Sequence, residues 1–292
     1  MEQNESTRFF HVCTDGTVLP WMFKDNQDFI AGMNRIGICK VIAKVNVYDY
    51  TLMDNHVHFL LNGEITGCKN FIDKYKTLTG KWNSHKYAIS RHLKDLPASI
   101  IPLKTEDDIL ETAAYIDRNS VMAGFKGLPS EYPWGSSCLM FRNDIQNTMK
   151  YKYLRDFSEN QLRTILNTRV PLPDDWRVDD SGMIDLTCYT EFRKMEKLFA
   201  SPVRYLYFLT KKLEGKINIT LAQGQKAFIP DKELRTIVEN LAIRHFGSGD
   251  IKSLNVNARL TIARKLRYEY ASTVKQIGRM VFLDPEMLKG FI

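Results

Sequence analysis

The chain has 292 residues, 44% hydrophobic, 26% charged and 11% aromatic, proportions of a globular protein long enough for two cores. No apolar run approaches the roughly 18 residues of a membrane helix, and the polar opening Met1-Glu2-Gln3-Asn4-Glu5 predicts no signal peptide. Cys13, Cys39, Cys68, Cys138 and Cys188 form no Cys-x-x-Cys pair, which argues against a disulfide framework or a zinc knuckle and fits a reducing cytoplasm.

The net charge of +7 is unevenly spread. Residues 1–150 carry 17 basic and 17 acidic side chains, 151–220 carry 12 and 10, and 221–292 carry 12 and 7. Inside the balanced first part, Lys69, Lys74, Lys76, Lys81, Lys86, Arg91 and Lys94 are opposed only by Asp73. Such a run suits a phosphate backbone, although on charge alone a solvated helix face is the first reading.

In chain order, Arg8 to Cys13 reads as a strand closed by the turn Asp15-Gly16. Residues 26–43 have helical apolar spacing through Phe29, Ile30, Met33, Ile36, Val41 and Ile42, interrupted by Gly32 and Gly37. Val45 to Leu61 predicts a hairpin broken at Met53-Asp54-Asn55. A basic helix follows over 66–87, and another from Glu106 to Val121 with Thr105 as its cap. The turn-rich stretch 127–135 closes a β-α-β-β-α-α order, hence an α+β fold with an antiparallel sheet. Residues 151–220 read as helical with an exposed linker at Pro171-Leu172-Pro173-Asp174-Asp175, and 231–290 read as wholly helical.

Two pairs carry candidate chemistry. His56 and His58 lie two apart on a strand, so both imidazoles share a face, as a single metal ion requires, while Val57 points into the core. Taken alone, the pair also fits two histidines at a sheet edge with no ligand role. Tyr115 and Asn119 lie one helical turn apart on one face. A tyrosine hydroxyl, with an ordinary pKa near 10, needs help to act as a nucleophile, and the Asn119 amide oxygen suits magnesium or manganese. Taken alone, Tyr115 reads first as a core or surface aromatic. His11, His85, His92 and His245 show no partner and read as structural or surface residues.

Together these residues form motifs. Leu52-Met53-Asp54-Asn55-His56-Val57-His58-Phe59-Leu60-Leu61 resembles the L-M-P-N-H-V-H-L-L-L signature of the single-tyrosine, His-hydrophobe-His transposases of small insertion sequences and of the REP-associated tyrosine transposases. Tyr115-Ile116-Asp117-Arg118-Asn119-Ser120-Val121-Met122-Ala123-Gly124 resembles their Y-I-x-x-N-P-V-x-A-G helix, and Glu131-Tyr132-Pro133-Trp134-Gly135-Ser136-Ser137 their closing D-Y-P-W-S-S segment. The resemblance covers roughly residues 8–140. Asp54 and Ser120 stand where the family has proline, which leaves the reacting groups intact and lets the second helix run on. The resemblance implies a ferredoxin-like nuclease core, with His56, His58 and Asn119 holding Mg2+ or Mn2+ at a scissile phosphate. It also implies that Tyr115 attacks to form a 5′-phosphotyrosine and free a 3′-hydroxyl. The implied partner is single-stranded or hairpin DNA, with homodimerisation left open. Lys74, Lys76, Lys81 and Arg118 are candidates for DNA contacts, and Tyr75 or Trp82 for base stacking. A replication-initiator or relaxase-type nickase uses the same constellation, and a catalytically silent DNA-binding regulator would keep the fold without the reaction.

From Asn257 the chain reads helix, turn, short helix and a third helix opened by Asp284 and Pro285. This pattern resembles the helix-turn-helix domain at the C-terminus of bacterial replication initiators, and makes Lys275 and Arg279 candidate DNA contacts. A small bundle that merely packs on the nuclease fits as well. The expected organisation is a nuclease domain over 1–150, a helical linker region over 151–220 and a DNA-binding domain over 221–292.

Overall fold

The computed structural model describes residues 8–16, 18–19, 21–88, 93–142, 151–211, 229, 231–268, 270 and 272–291. Arg91, His92 and the stretch 212–220, all part of the sequence reading, lie outside them. The fold is α+β. Strands β1 (Arg8–Thr14), β2 (Asn46–Leu52), β3 (Val57–Gly63) and β4 (Ala98–Leu103) form one antiparallel sheet in the order β2-β3-β1-β4. Helices α1 (Asn26–Ala43) and α2 (Ile65–Tyr87) cover one face, while α3 (Glu106–Met122) packs on the other. No helix among the described residues is long and apolar enough to cross a membrane.

Strand alternation sorts the side chains between the faces. Phe10, Val12, Val57, Phe59 and Leu61 join the core under α1 and α2, whereas Leu60 joins the cluster under α3. Tyr48 is a bulge between Val47 and Asp49, so Asp49 returns to the α3 side beside Tyr48. Gly32 and Gly37 are close-approach positions in α1. A β-carbon at Gly32 would come 2.7 Å from the Phe23 ring, and one at Gly37 would come 2.9 Å from Trp176.

Strand β4 corrects the expected element order. Its Ala98-Ser99-Ile100-Ile101-Pro102-Leu103 sequence has no buried–exposed alternation because it lies at the sheet edge, the place in a sheet that tolerates proline. The described part of the region 151–220, residues 151–211, departs from the all-helical reading. It contains the strand pair β5 (Lys152–Tyr153) and β6 (Arg177–Val178), helices α4 (Glu159–Leu166) and α5 (Phe192–Phe199), and a helical run over 202–211 (α6). It is not a linker. Trp176, Ile184 and Tyr189 belong to the core under α1, and Phe199, Tyr205 and Phe208 to the cluster under α3.

The C-terminal part has its own core, centred on Leu234, Val238, Ile262, Leu266, Ile277, Val281 and Leu288. Its helices are α7 (Asp231–Phe246), α8 (Val256–Tyr268), α9 (Val274–Val281) and α10 (Pro285–Leu288). Asp284 caps α10 by accepting from the Glu286 N–H, with Pro285 at the first position. At four residues, α10 is too short to present several side chains to a groove.

Candidate metal and tyrosine site

The site is built where β1 and β3 meet α3. Cys13 lies directly opposite His58 and His11 opposite Leu60, so His11, Cys13 and His58 share the face turned to α3. His56, in the β2–β3 connection two residues before His58, packs edge-on to it with ring centroids 4.9 Å apart. Tyr115 stands edge-on to His58 at 5.5 Å and to His11 at 5.8 Å. The structure thus brings together residues 11, 56, 58 and 115, and Asn119 follows one turn below Tyr115.

Each imidazole is held. The Asn55 amide donates to Gly16 O at 2.7 Å, which turns its oxygen toward His56 Nδ1, also at 2.7 Å. An amide oxygen only accepts, so His56 carries its proton on Nδ1 and presents the Nε2 lone pair. His58 Nδ1 and His11 Nε2 share a hydrogen bond of 3.1 Å, and the two rings stack. His58 Nε2 is buried with no hydrogen-bond partner. Burial pushes the pKa of all three down, His56 to about 3 and His11 to about 4, with Arg279 and Arg235 adding to the effect at His56 and Lys275 at His11. They are neutral at physiological pH, as ligands must be. Burial also pushes the Cys13 thiol up to about 11.

Helix α3 is fixed at both ends. Thr105 and Asp108 form a capping box. At the other end the Gly124 N–H donates to Val121 O and the Phe125 N–H to Ser120 O, with Gly124 at φ 101, a Schellman stop. The helix therefore runs two residues past Ser120, where the family has proline. The Asn119 amide donates to Tyr115 O at 2.7 Å, leaving its oxygen as the end suited to a cation. Tyr115 keeps 37% of its surface exposed. Burial raises its pKa, and Arg279, Asn119 and Arg118 oppose that rise.

The basic residues around the site differ from those the sequence suggested. Lys76 is buried and donates to Leu96 O at 2.9 Å, and Arg118 is buried with its guanidinium on Phe208 O, so both serve the fold and neither presents its charge to DNA. Tyr75 is buried and donates to Gly32 O, which removes it as a stacking platform, and half-buried Trp82 donates its indole N–H to Asp28. Lys74 and Lys81 are exposed but ride on α2, across the sheet from the histidines. The charges that reach the site come from the C-terminal helices. A β-carbon at Gly16 would come 2.9 Å from His56 Nδ1 and 3.1 Å from Arg279 Cδ, which places α9 against the histidine turn. Lys275, one helical turn before Arg279, is exposed. Asp231 holds the Nε–Nη2 edge of the Arg279 guanidinium, accepts from Gln276, and donates its backbone N–H to Ala123 O at the end of α3. Beside His56 this docking leaves a cleft of about 740 Å³ whose lining includes Asp54, Phe125, Lys126, Tyr132, Lys232 and Arg235.

His11 is the site residue that sequence reading missed. Its signal was present: His11-Val12-Cys13 has the same two-residue spacing on a strand as His56-Val57-His58, but only the sheet order reveals that β1 and β3 are neighbours. Comparison with family models, with curated proteins and with solved structures gives no match.

Proposed function

We propose that the chain cleaves and rejoins single-stranded DNA through a phosphotyrosine at Tyr115, as the transposases its motifs resemble do. One observation carries the reading: His56, His58 and Tyr115, from separate elements, meet in one place where His58 Nε2 is buried without a partner. The strand order β2-β3-β1-β4, with α1 and α2 on one face, agrees with the order expected of a ferredoxin-like split β-α-β core and supports the nuclease reading.

The donor set fits a divalent ion. His56 offers Nε2 in a fixed tautomer, His58 offers its unpartnered Nε2, and the Asn119 oxygen adds a hard ligand on the tyrosine's helix. When bound, Mg2+ or Mn2+ supplies Lewis-acid stabilisation of charge on the scissile phosphate. In this reading Tyr115, which is partly exposed and feels the Arg279 charge, attacks phosphorus. The phenol loses its proton as the O–P bond forms, and the departing 3′-oxygen gains one. A phosphodiester replaces a phosphodiester, so the 3′-hydroxyl can reverse the step on another end without ATP. Arg235, Lys275 and Arg279 supply the positive rim for the strand.

The test is incubation with labelled single-stranded hairpin DNA and Mn2+. The protein should form a covalent adduct that Tyr115→Phe abolishes while DNA binding stays within a few-fold, since only a hydroxyl is lost. Adduct formation by the variant would mean another nucleophile.

A further inference from the structure

We infer that His11, Cys13 and His58 form a second, sulfur-containing metal site that takes a borderline ion such as Zn2+ or Co2+, using the opposite edge of the His58 ring from the one turned toward catalysis. The ligand atoms of these three residues lie within 4.8 Å of one another. His11 Nε2 and His58 Nδ1 are 3.1 Å apart. Two imidazole nitrogens on a tetrahedral zinc, each about 2.0–2.1 Å from the ion, stand roughly 3.3 Å apart. The pair is therefore already at ligand spacing, with the hydrogen-bonding proton where the ion would sit. The thiol completes a Cys-His-His set and leaves a fourth position open, the donor chemistry that selects zinc or cobalt over magnesium.

The sheet makes this arrangement rigid. Cys13 faces His58 directly across the ladder and His11 lies on the same face of β1, so the three ligands sit on paired strands. The stacked His11 and His58 rings, with centroids 5.3 Å apart, hold the two ligand nitrogens together on that face. Binding balances simply. Each imidazole keeps one proton, on His11 Nδ1 and His58 Nε2, while the thiol gives one proton to solvent and its sulfur binds the ion as thiolate. With a proton on His58 Nε2, the ring has no lone pair left for the catalytic ion. The two modes of His58 are therefore mutually exclusive, and a sulfur-preferring ion opposes the hard one.

The intact protein titrated with Co2+, without DNA, provides the test. It should develop the near-ultraviolet sulfur-to-cobalt charge-transfer absorption together with tetrahedral visible bands. Cys13→Ser should remove the charge-transfer band, and His11→Gln should weaken cobalt binding by more than about tenfold, the range that even an outer-shell change can reach. His56→Ala should leave the band in place. Absence of the band in the native protein, its persistence in Cys13→Ser, or its loss in His56→Ala would each overturn the assignment. The His58 coupling rests on the proposed phosphotyrosine reading, but the spectrum does not, so it can fail or succeed independently of adduct formation.

Discussion

Asn55 does for His56 what no ligand does for itself. Its amide is anchored by Gly16 O, so its oxygen holds the imidazole proton on Nδ1 and turns Nε2 outward. Asn55→Ala removes that acceptor without touching a ligand. Metal affinity should fall about 10–100-fold, the usual effect of losing an outer-shell partner, while the folded state persists. Calorimetric titration with Mn2+ checks this, and an unchanged affinity would mean that His56 is oriented by packing alone. The motif reading named Asn55 only as part of a string. Its task became visible once the β2–β3 turn brought Gly16 alongside, because a contact across 39 residues has no local signature.

Among the elements, a buried acidic pair links β2, α3, the turn after Gly135 and α6. Asp49 accepts from Ser136, and Asp117 accepts from Tyr205, whose hydroxyl also meets Ser137. Burial raises the pKa of both carboxyls, and the two acids raise Asp49 further by repulsion. The folded state therefore binds more protons than the unfolded chain above about pH 4. Stability from this pair is fully present below that point and falls as pH rises through the folded values. Asp117→Asn should flatten the decline between about pH 5 and 8, read from urea midpoints across that range; an unaltered decline would assign it elsewhere. These contacts also give the Trp134-Gly135-Ser136-Ser137 motif a structural purpose, since its two serines serve the acids. The boundaries of α1, α2 and α3 were legible to within a residue because periodicity and, for α3, the Thr105 cap are local. Strand β4 was not, because an edge strand buries little and shows no alternation. Residues 151–211 were misread as helical because their burial against α1 and α3 comes from distant partners such as Trp176 on Gly37.

On the scale of the whole molecule, charge and position disagree about where DNA should lie. The densest run of lysines is on α2, across the sheet from the histidines, whereas Lys275 and Arg279 reach the site from a separately cored C-terminal part. Lys275→Ala should lower the slope of log K against log salt by about 0.7 for a single strand, one phosphate contact. Lys74→Ala combined with Lys81→Ala should leave the slope unchanged. The reverse pattern would move the strand to the α2 face.

The Asp231–Arg279 clamp has a consequence for how the protein engages its substrate. Arg279 is already paired with a carboxylate through Nε and Nη2, so a phosphate that takes that edge must displace Asp231, and Asp231 also joins α7 to the end of α3 through its backbone. Exchange of one anion for another at Arg279 is then coupled to loosening of the seam between the two cores. Occupancy of the site and closure of that seam become two equilibria joined by a single guanidinium, each shifting the other by the same factor.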